Sequence, residues 1–214
     1  MEDQNYLISL ILAGGMSSRM GEDKALIIWQ GQPMLYRVYQ VAAECTEQVY
    51  LITPWRTKYQ RLFATDLSKV ISQTKLEWID ESEPGSGPLI GFYRGLTAVQ
   101  EIHQSFFSAF DDYWVLLLGC DLPDLDSEII KNWRSHLKTV NGDILAVVPQ
   151  GEKGWEPLCG FYRCRILTEL SIYVEQGGRS FQKWLKTLPV IALPVGDEAR
   201  KMLKNYNTPL DFLD

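Results

Sequence analysis

Gly14-Gly15-Met16-Ser17-Ser18-Arg19 follows directly on an apolar run, and Lys24 closes the same stretch. Paired glycines behind a buried strand permit close backbone approach and positive φ, and they leave amide N–H groups to point at an anion. Ser17 and Ser18 add hydroxyl donors, while Arg19 and Lys24 add positive charge. Arginine grips phosphate oxygens two at a time, and lysine acts as a movable point charge. Such a loop suits a polyphosphate. Its spelling fits neither a Walker A loop, because Gly21 is followed by Glu22, nor a dinucleotide fingerprint, because the first two glycines are adjacent. The plainer alternative is a strand-to-helix turn whose charges are merely solvated.

Asp121, in Gly119-Cys120-Asp121-Leu122-Pro123, stands at the end of the most apolar run in the chain. A carboxylate there costs free energy unless it is paired, capping or holding a metal. Mg2+ takes one or two carboxylates together with substrate phosphates, so one well-placed aspartate suffices. The alternative is that Asp121 caps the turn before the next helix. Asp124 and Asp126 read as surface or cap positions. Gly87-Pro88-Leu89-Ile90-Gly91 opens a helix with little side-chain bulk, which suits a flat base or ribose. Asp80, shortly before it, either accepts from a base N–H or ribose hydroxyl or simply ends a strand.

These residues need elements to position them, and the hydrophobic pattern supplies a set. Strands are expected over 6–13, 48–53, 76–79, 113–118, 144–148, 159–162 and 190–195. Helices are expected from Pro33 through 34–45, shortly after Pro54, over 89–103, and from a cap at Asp126 or Ser127 to 139. Others follow over 165–175 and 180–186, with a terminal helix starting at Thr208-Pro209. Strands alternating with helices imply an α/β fold with a mainly parallel sheet. Ligands of such sheets sit beyond the carboxyl ends of the strands. The stretch 14–24, Asp80, the stretch 87–91 and Asp121 all fall at those ends.

The totals narrow the class. A net charge of −6 lacks the broad positive field of a nucleic-acid coat, yet leaves room for a few local cations around an anionic small ligand. No apolar run approaches a membrane span, and the acidic start Met1-Glu2-Asp3-Gln4 is unlike a secretory signal, so cytoplasmic residence is expected. The four cysteines show no CxxC spacing and the two histidines stand far apart, which argues for reduced core thiols rather than a zinc site.

Taken in order, "LAGGMSSRMGEDK" (12–24), "GPLIG" (87–91), "GCDLP" (119–123), "EPLCGFY" (156–162), "GGRS" (177–180) and "NYNTPLDF" (205–212) cover nearly the whole chain. This series resembles nucleotidyltransferases of the nucleotide-diphospho-sugar transferase fold, and within them the molybdenum cofactor guanylyltransferases (the MobA family). The resemblance implies a single three-layer α/β/α domain with a mostly parallel, Rossmann-like sheet, its nucleotide half at about 1–125 and its acceptor half at about 126–214. It implies transfer of GMP from GTP to the terminal phosphate of molybdopterin or Mo-molybdopterin, with Mg2+ as cofactor and pyrophosphate released. Leu12, Ala13, Gly14, Gly15 and Gly87 would hold the nucleotide, with Lys24 and Arg19 at the phosphates and Asp80 on the nucleoside. Asp121 would carry Mg2+ beside the nucleotide, Asn205 and Asn207 would lie near the reaction centre, and Arg179 would stand on the pterin side. Molybdenum-insertion proteins and apo-molybdoenzymes are the implied protein partners, with no nucleic acid or membrane. One departure stands out: the family often has an asparagine after the second strand, where this chain reads Thr53-Pro54. The Gly14-Gly15 pair resembles the guanylyl form rather than the Ala-Gly of related cytidylyltransferases. A molybdopterin cytidylyltransferase, a sugar-phosphate nucleotidyltransferase and a non-catalytic GTP-binding protein remain the alternatives.

Overall fold

The computed structural model describes residues 6–15, 23–63, 75–81, 84–103 and 113–206. A central sheet runs in the order β10-β7-β9-β6-β1-β4-β5, with β8 paired to β7. Its members are β1 (Leu7–Leu12), β4 (Gln48–Thr53), β5 (Lys75–Asp80), β6 (Trp114–Gly119), β7 (Ala146–Gly151), β8 (Gly154–Trp155), β9 (Cys159–Arg163) and β10 (Val190–Leu193). β1, β4, β5 and β6 pair in parallel, as do β7 and β10. β9 is antiparallel to both β6 and β7, and the two-residue β8 is antiparallel to β7, so the expected mostly parallel sheet carries two reversed strands. The short path from β7 through β8 to β9 explains the reversal, because a parallel return needs a long crossover.

Successive side chains of a strand point to opposite faces, and each face has its own helices. Leu7 and Ile11 pack with α1 (Met34–Cys45), α2 (Arg56–Phe63), α4 (Ser127–His136) and α7 (Asp197–Met202). Ile8 and Leu10 pack with α3 (Pro88–His103), α5 (Leu167–Glu175) and α6 (Phe181–Leu185). The result is three layers, α/β/α. Each fully buried Leu, Ile or Val contributes about 1.5–3 kcal/mol. The one polar residue inside β1, Ser9, is satisfied by Thr46 Oγ1 at 2.9 Å. On the second face, Phe92, Tyr162, Phe181 and Trp184 form an aromatic cluster that locks α3 and α6 onto β9.

Helix starts follow local chemistry. Asp126 caps α4 by accepting from the Glu128 and Ile129 amides at 2.8 and 3.2 Å. Pro33 stands one place earlier than expected, as the residue before α1 rather than its first turn. It belongs to a small hairpin, β2 (Ile28–Trp29) with β3 (Gln32–Pro33), that the hydrophobic pattern does not announce. Gln30 (φ 47°) and Gly31 (φ 84°) turn it, the two positive φ values that a tight hairpin of this hand requires. The short α7 and β8 were likewise not expected. The expected helix from Thr208 lies outside the described residues.

Candidate active site

A cleft of about 420 Å³ opens where β1, β5 and β6 end and α3 begins. Leu12, Ala13, Gly14, Gly15, Lys24, Gly87 and Asp121 all line it, so most of the expected nucleotide residues come together. Arg19 and Asn207 lie outside the described residues.

The end of β1 is fastened to both neighbouring strands. The Ala13 amide donates to the Ile52 carbonyl at 2.9 Å, and the Cys120 amide donates to the Leu12 carbonyl at 3.3 Å. Thr53, fully buried, donates its hydroxyl to the Ala13 carbonyl at 3.0 Å and accepts from the Trp55 amide at 3.1 Å. That hydroxyl therefore ties the start of the glycine loop to the turn after β4. Thr53 supports the cleft wall rather than reaching into it.

Lys24 begins a single turn of 3-10 helix, Lys24–Leu26, capped by Asp23, whose Oδ1 accepts from the Ala25 amide at 3.1 Å. Asp23 is in turn held by the Tyr59 hydroxyl, at 3.0 and 2.9 Å from its two oxygens, and by Lys58 Nζ at 2.6 Å. α2 thus sets the turn that presents Lys24. Burial pushes the Asp121 carboxyl above the usual carboxylate range, and Lys24 pulls it back down. Burial likewise pushes the neighbouring Cys120 thiol up to about 12, which disfavours the thiolate. Gly119 makes the geometry possible: a Cβ there would sit 2.7 Å from Asp121 Oδ1 and 3.2 Å from Leu158.

At the end of β5 the placement differs from expectation. Asp80 does not line the cleft; its exposed carboxylate faces Arg56 at 3.4 Å. Glu81, the next residue, turns inward and lines the cleft against Gly14 and Gly91. Burial raises its carboxyl, and Arg94 lowers it. The alternation of side chains at the last residue of a strand decides which carboxylate faces inward.

A second cavity of about 200 Å³ adjoins the first, sharing Pro88 and Leu158. Asn205 lines it with Glu156, Ser180, Phe181 and Gln182. Burial raises the Glu156 carboxyl most, with Lys153 opposing and Asp121 adding a smaller rise. Gln182 ties α6 to β8 by a reciprocal pair with the Trp155 backbone, at 3.0 and 2.6 Å. Arg179 does not line this cavity. Its exposed guanidinium donates to the Val174 and Gly178 carbonyls at 3.1 and 2.7 Å, one residue before the lining Ser180.

A latch on Asp124 ties together chain segments beside the two cavities. It accepts from Trp29 Nε1 at 2.8 Å and from the Tyr206 hydroxyl at 2.6 Å, and the Trp29 and Tyr206 rings meet at 5.0 Å. The Tyr206 amide donates to the Asp121 carbonyl at 3.1 Å. Asp124 therefore holds the hairpin, the Asp121 loop and the segment carrying Asn205 together. In the sequence Asp124 reads as a surface or cap position, and nothing in the chain order brings Trp29 and Tyr206 to it.

Among the described residues no three His, Cys, Asp or Glu side chains cluster as metal ligands, and no helix is long and apolar enough to cross a membrane.

Known proteins share the sequence and fold of this chain. The MobA-like NTP transferase domain matches residues 9–190. A protein of a Nostoc species named "Probable molybdenum cofactor guanylyltransferase" is 43% identical over 210 residues, 97% of this chain and 89% of that one. A Synechococcus elongatus protein of the same name is 37% identical, covering 95% of each chain. The crystal structure of molybdopterin-guanine dinucleotide biosynthesis protein A from Archaeoglobus fulgidus superposes with a TM-score of 0.68, at 19% identity over 96% of this chain and 95% of that one, which establishes the likeness of fold. With a match across most of its length and relatives this similar over nearly all of it, the chain belongs to the MobA-like NTP transferase family, the family of the molybdenum cofactor guanylyltransferases.

Proposed function

We infer that the chain transfers GMP from GTP to the terminal phosphate of molybdopterin or Mo-molybdopterin, giving a guanine dinucleotide and pyrophosphate. The observation that carries this reading is Lys24 and Asp121 lining one cleft that adjoins a second cavity. One cleft takes the nucleotide and the other the acceptor, so that the two substrates meet where Pro88 and Leu158 are shared. In one domain, residues to about 125 serve the first and the remainder the second.

The acceptor phosphate attacks the α-phosphorus in line; the new P–O bond forms as the bond to pyrophosphate breaks. The nucleophile is already an anion, so no general base is needed and charge repulsion is the central problem. Lys24, with Arg19 from the glycine loop, neutralises the triphosphate and the charge developing on pyrophosphate. Leu12, Ala13, Gly14, Gly15 and Gly87 supply the close wall for the nucleotide, and Asn205 and Asn207 orient the acceptor phosphate. Arg179 lies on the pterin side, one residue from the second cavity.

Asp121 fits Mg2+. Its carboxylate is half-buried with raised proton affinity, a charge that a cation would relieve, and a lone carboxylate suits an ion that completes its shell with phosphates and water. When bound, the ion would neutralise phosphate charge. The product is expected to pass to molybdenum-insertion proteins and apo-molybdoenzymes in the cytoplasm. The test is pyrophosphate release with Mg2+ and molybdopterin, comparing GTP, CTP, ATP and UTP. Release with GTP alone, dependent on the pterin, is expected; release with CTP instead would make the chain a cytidylyltransferase, and silence with every nucleotide would sink the reading.

A further inference from the structure

We propose that a third cavity, at the amino ends of β1 and β6, binds a small organic anion: a carboxylate or phosphate carried on an apolar, ring-sized body. The site stands apart from the transfer cleft, and the proposal does not depend on the guanylyl-transfer reading.

This cavity holds about 240 Å³ and is lined by Leu7, Trp114, Lys131, Arg134, Ser135, Leu137 and Lys138. Leu7 opens β1 and Trp114 opens β6, the strands whose other ends bring Leu12 and Gly119 to the active cleft. Each strand has six residues, which places the cavity roughly 17 Å from the cleft at ~3.3 Å per step. It shares no lining residue with the cleft or with the cavity beside it, so its ligand is not a substrate of the transfer.

The floor is apolar and the rim is cationic. Leu7, Trp114 and Leu137 are buried core side chains. Lys131 and Arg134 come from α4, and Lys138 from the 3-10 turn Leu137–Thr139 that follows it. No acidic side chain lines the cavity, in a chain whose net charge is −6. Two of the cations are held in place. Arg134 donates to the Cys45 carbonyl at 2.7 Å and to Glu47 Oε1 at 2.6 Å, and Glu47 Oε2 accepts from the Leu7 amide at 3.0 Å. Lys131 pairs with Glu128 at 2.7 Å. Lys138 is exposed and makes no ion pair among the described residues.

A helix C-terminus favours cations for its own sake. That accounts for Arg134, in the last turn of α4, but not for Lys138 beyond the helix, nor for the apolar floor. An anion would relieve the repulsion among the three charges, with arginine gripping two oxygens and the lysines acting as point charges. A bare inorganic ion would use the rim alone. A cavity of ~150 Å³ takes a benzene ring, so this one has room for a ring on the floor and an acid group at the rim. Apolar walls with a few placed polar groups are the ordinary make-up of a small-molecule site.

The test is calorimetric titration of the full chain with phenyl phosphate, benzoate, inorganic phosphate and phenol. Phenyl phosphate or benzoate is expected to bind at least 10-fold more tightly than inorganic phosphate or phenol, and the tighter of the two names the acid group. Lys138→Gln should weaken that binding at least 5-fold. Ser135→Leu, which fills the cavity and keeps every cation, should weaken it further, both variants retaining the native circular dichroism spectrum. Lys24→Ala, altered only in the transfer cleft, should bind as the native protein does. Absence of binding by either organic acid would overturn the proposal. Inorganic phosphate bound as tightly would also overturn it, because the floor would then contribute nothing. So would binding lost in Lys24→Ala but kept in Lys138→Gln and Ser135→Leu, because the anion would then sit in the cleft.

Discussion

At the end of β6 Asp121 enters the cleft, as its place behind the most buried strand suggests, whereas at the end of β5 Asp80 turns to solvent and its neighbour Glu81 turns in. The two ends differ in support. β6 lies between β1 and β9, and its terminal Gly119 is wedged against Leu158 and the Asp121 carboxylate. β5 is an edge strand with one partner, β4, and the chain leaves it toward the glycines of 85 and 87. A strand held on both sides fixes where its last side chain points. An edge strand lets the exit decide. The β6 end brings Asp121 into the same cleft as Lys24, and the β5 end brings Glu81 there against Gly14.

Removing the charge should produce the largest effect. Lys24→Ala is expected to lower kcat a few hundred-fold, about 3–4 kcal/mol of transition-state stabilisation, with an unchanged circular dichroism spectrum. Retained turnover would break the assignment of chemistry to the β6 end. Asp121→Asn should likewise reduce turnover at least ~100-fold, yet it should raise the melting temperature of the free protein at neutral pH by about 2 °C. The sign follows from burial. The folded Asp121 carboxyl is raised above its unfolded value, so between the two values the native state holds more protons and stability falls as pH rises. Above that window the penalty is complete, and the asparagine escapes it; below the unfolded value the two proteins should melt alike.

Gly119→Ala comes next, because its Cβ must displace either Asp121 Oδ1 or Leu158. A shift of the carboxylate by about 1 Å can cost up to ~100-fold in rate, and overpacking about 1–3 kcal/mol in stability. Gly15→Ala is the control, since nothing lies within 4 Å of its would-be Cβ. Equal loss in both would mean that the loop, not the wedge behind Asp121, governs the rate.

Much of this was legible in the chain and some was not. The buried central strands announced themselves as unbroken apolar runs, and their ends pointed to Lys24, Asp121 and the glycines because parallel sheets bind ligands there. The choice between Asp80 and Glu81 was not legible, since a one-residue difference in where an edge strand ends reverses which acid faces inward. Asp124 was hidden for another reason: its two partners, Trp29 and Tyr206, are remote in sequence and reach it only through a hairpin and the returning chain. Asp124→Asn leaves one of those two donors without an acceptor, so a loss of about 1–3 kcal/mol is expected, together with a raised KM for the acceptor and a smaller change for GTP. An equal rise for both substrates would make the latch a general brace rather than a link to the Asn205 side.

The smallest effect is expected at Asp80, and its smallness is informative. The Arg56–Asp80 pair is exposed, with side chains 44% and 68% accessible, so solvent screens it and its contribution to stability is within about 0.5 kcal/mol. Asp80→Ala should leave the melting temperature nearly unchanged. Arg56, freed of its partner in Asp80→Ala, adds positive charge near the rim and should tighten GTP slightly. A slight rise in affinity would support the edge strand sending one acid inward and keeping the other as a neutralising partner outside. A marked loss of affinity would mean that Asp80 swings into the cleft once a nucleotide is present, and the contrast between the two strand ends would then belong to the free protein alone.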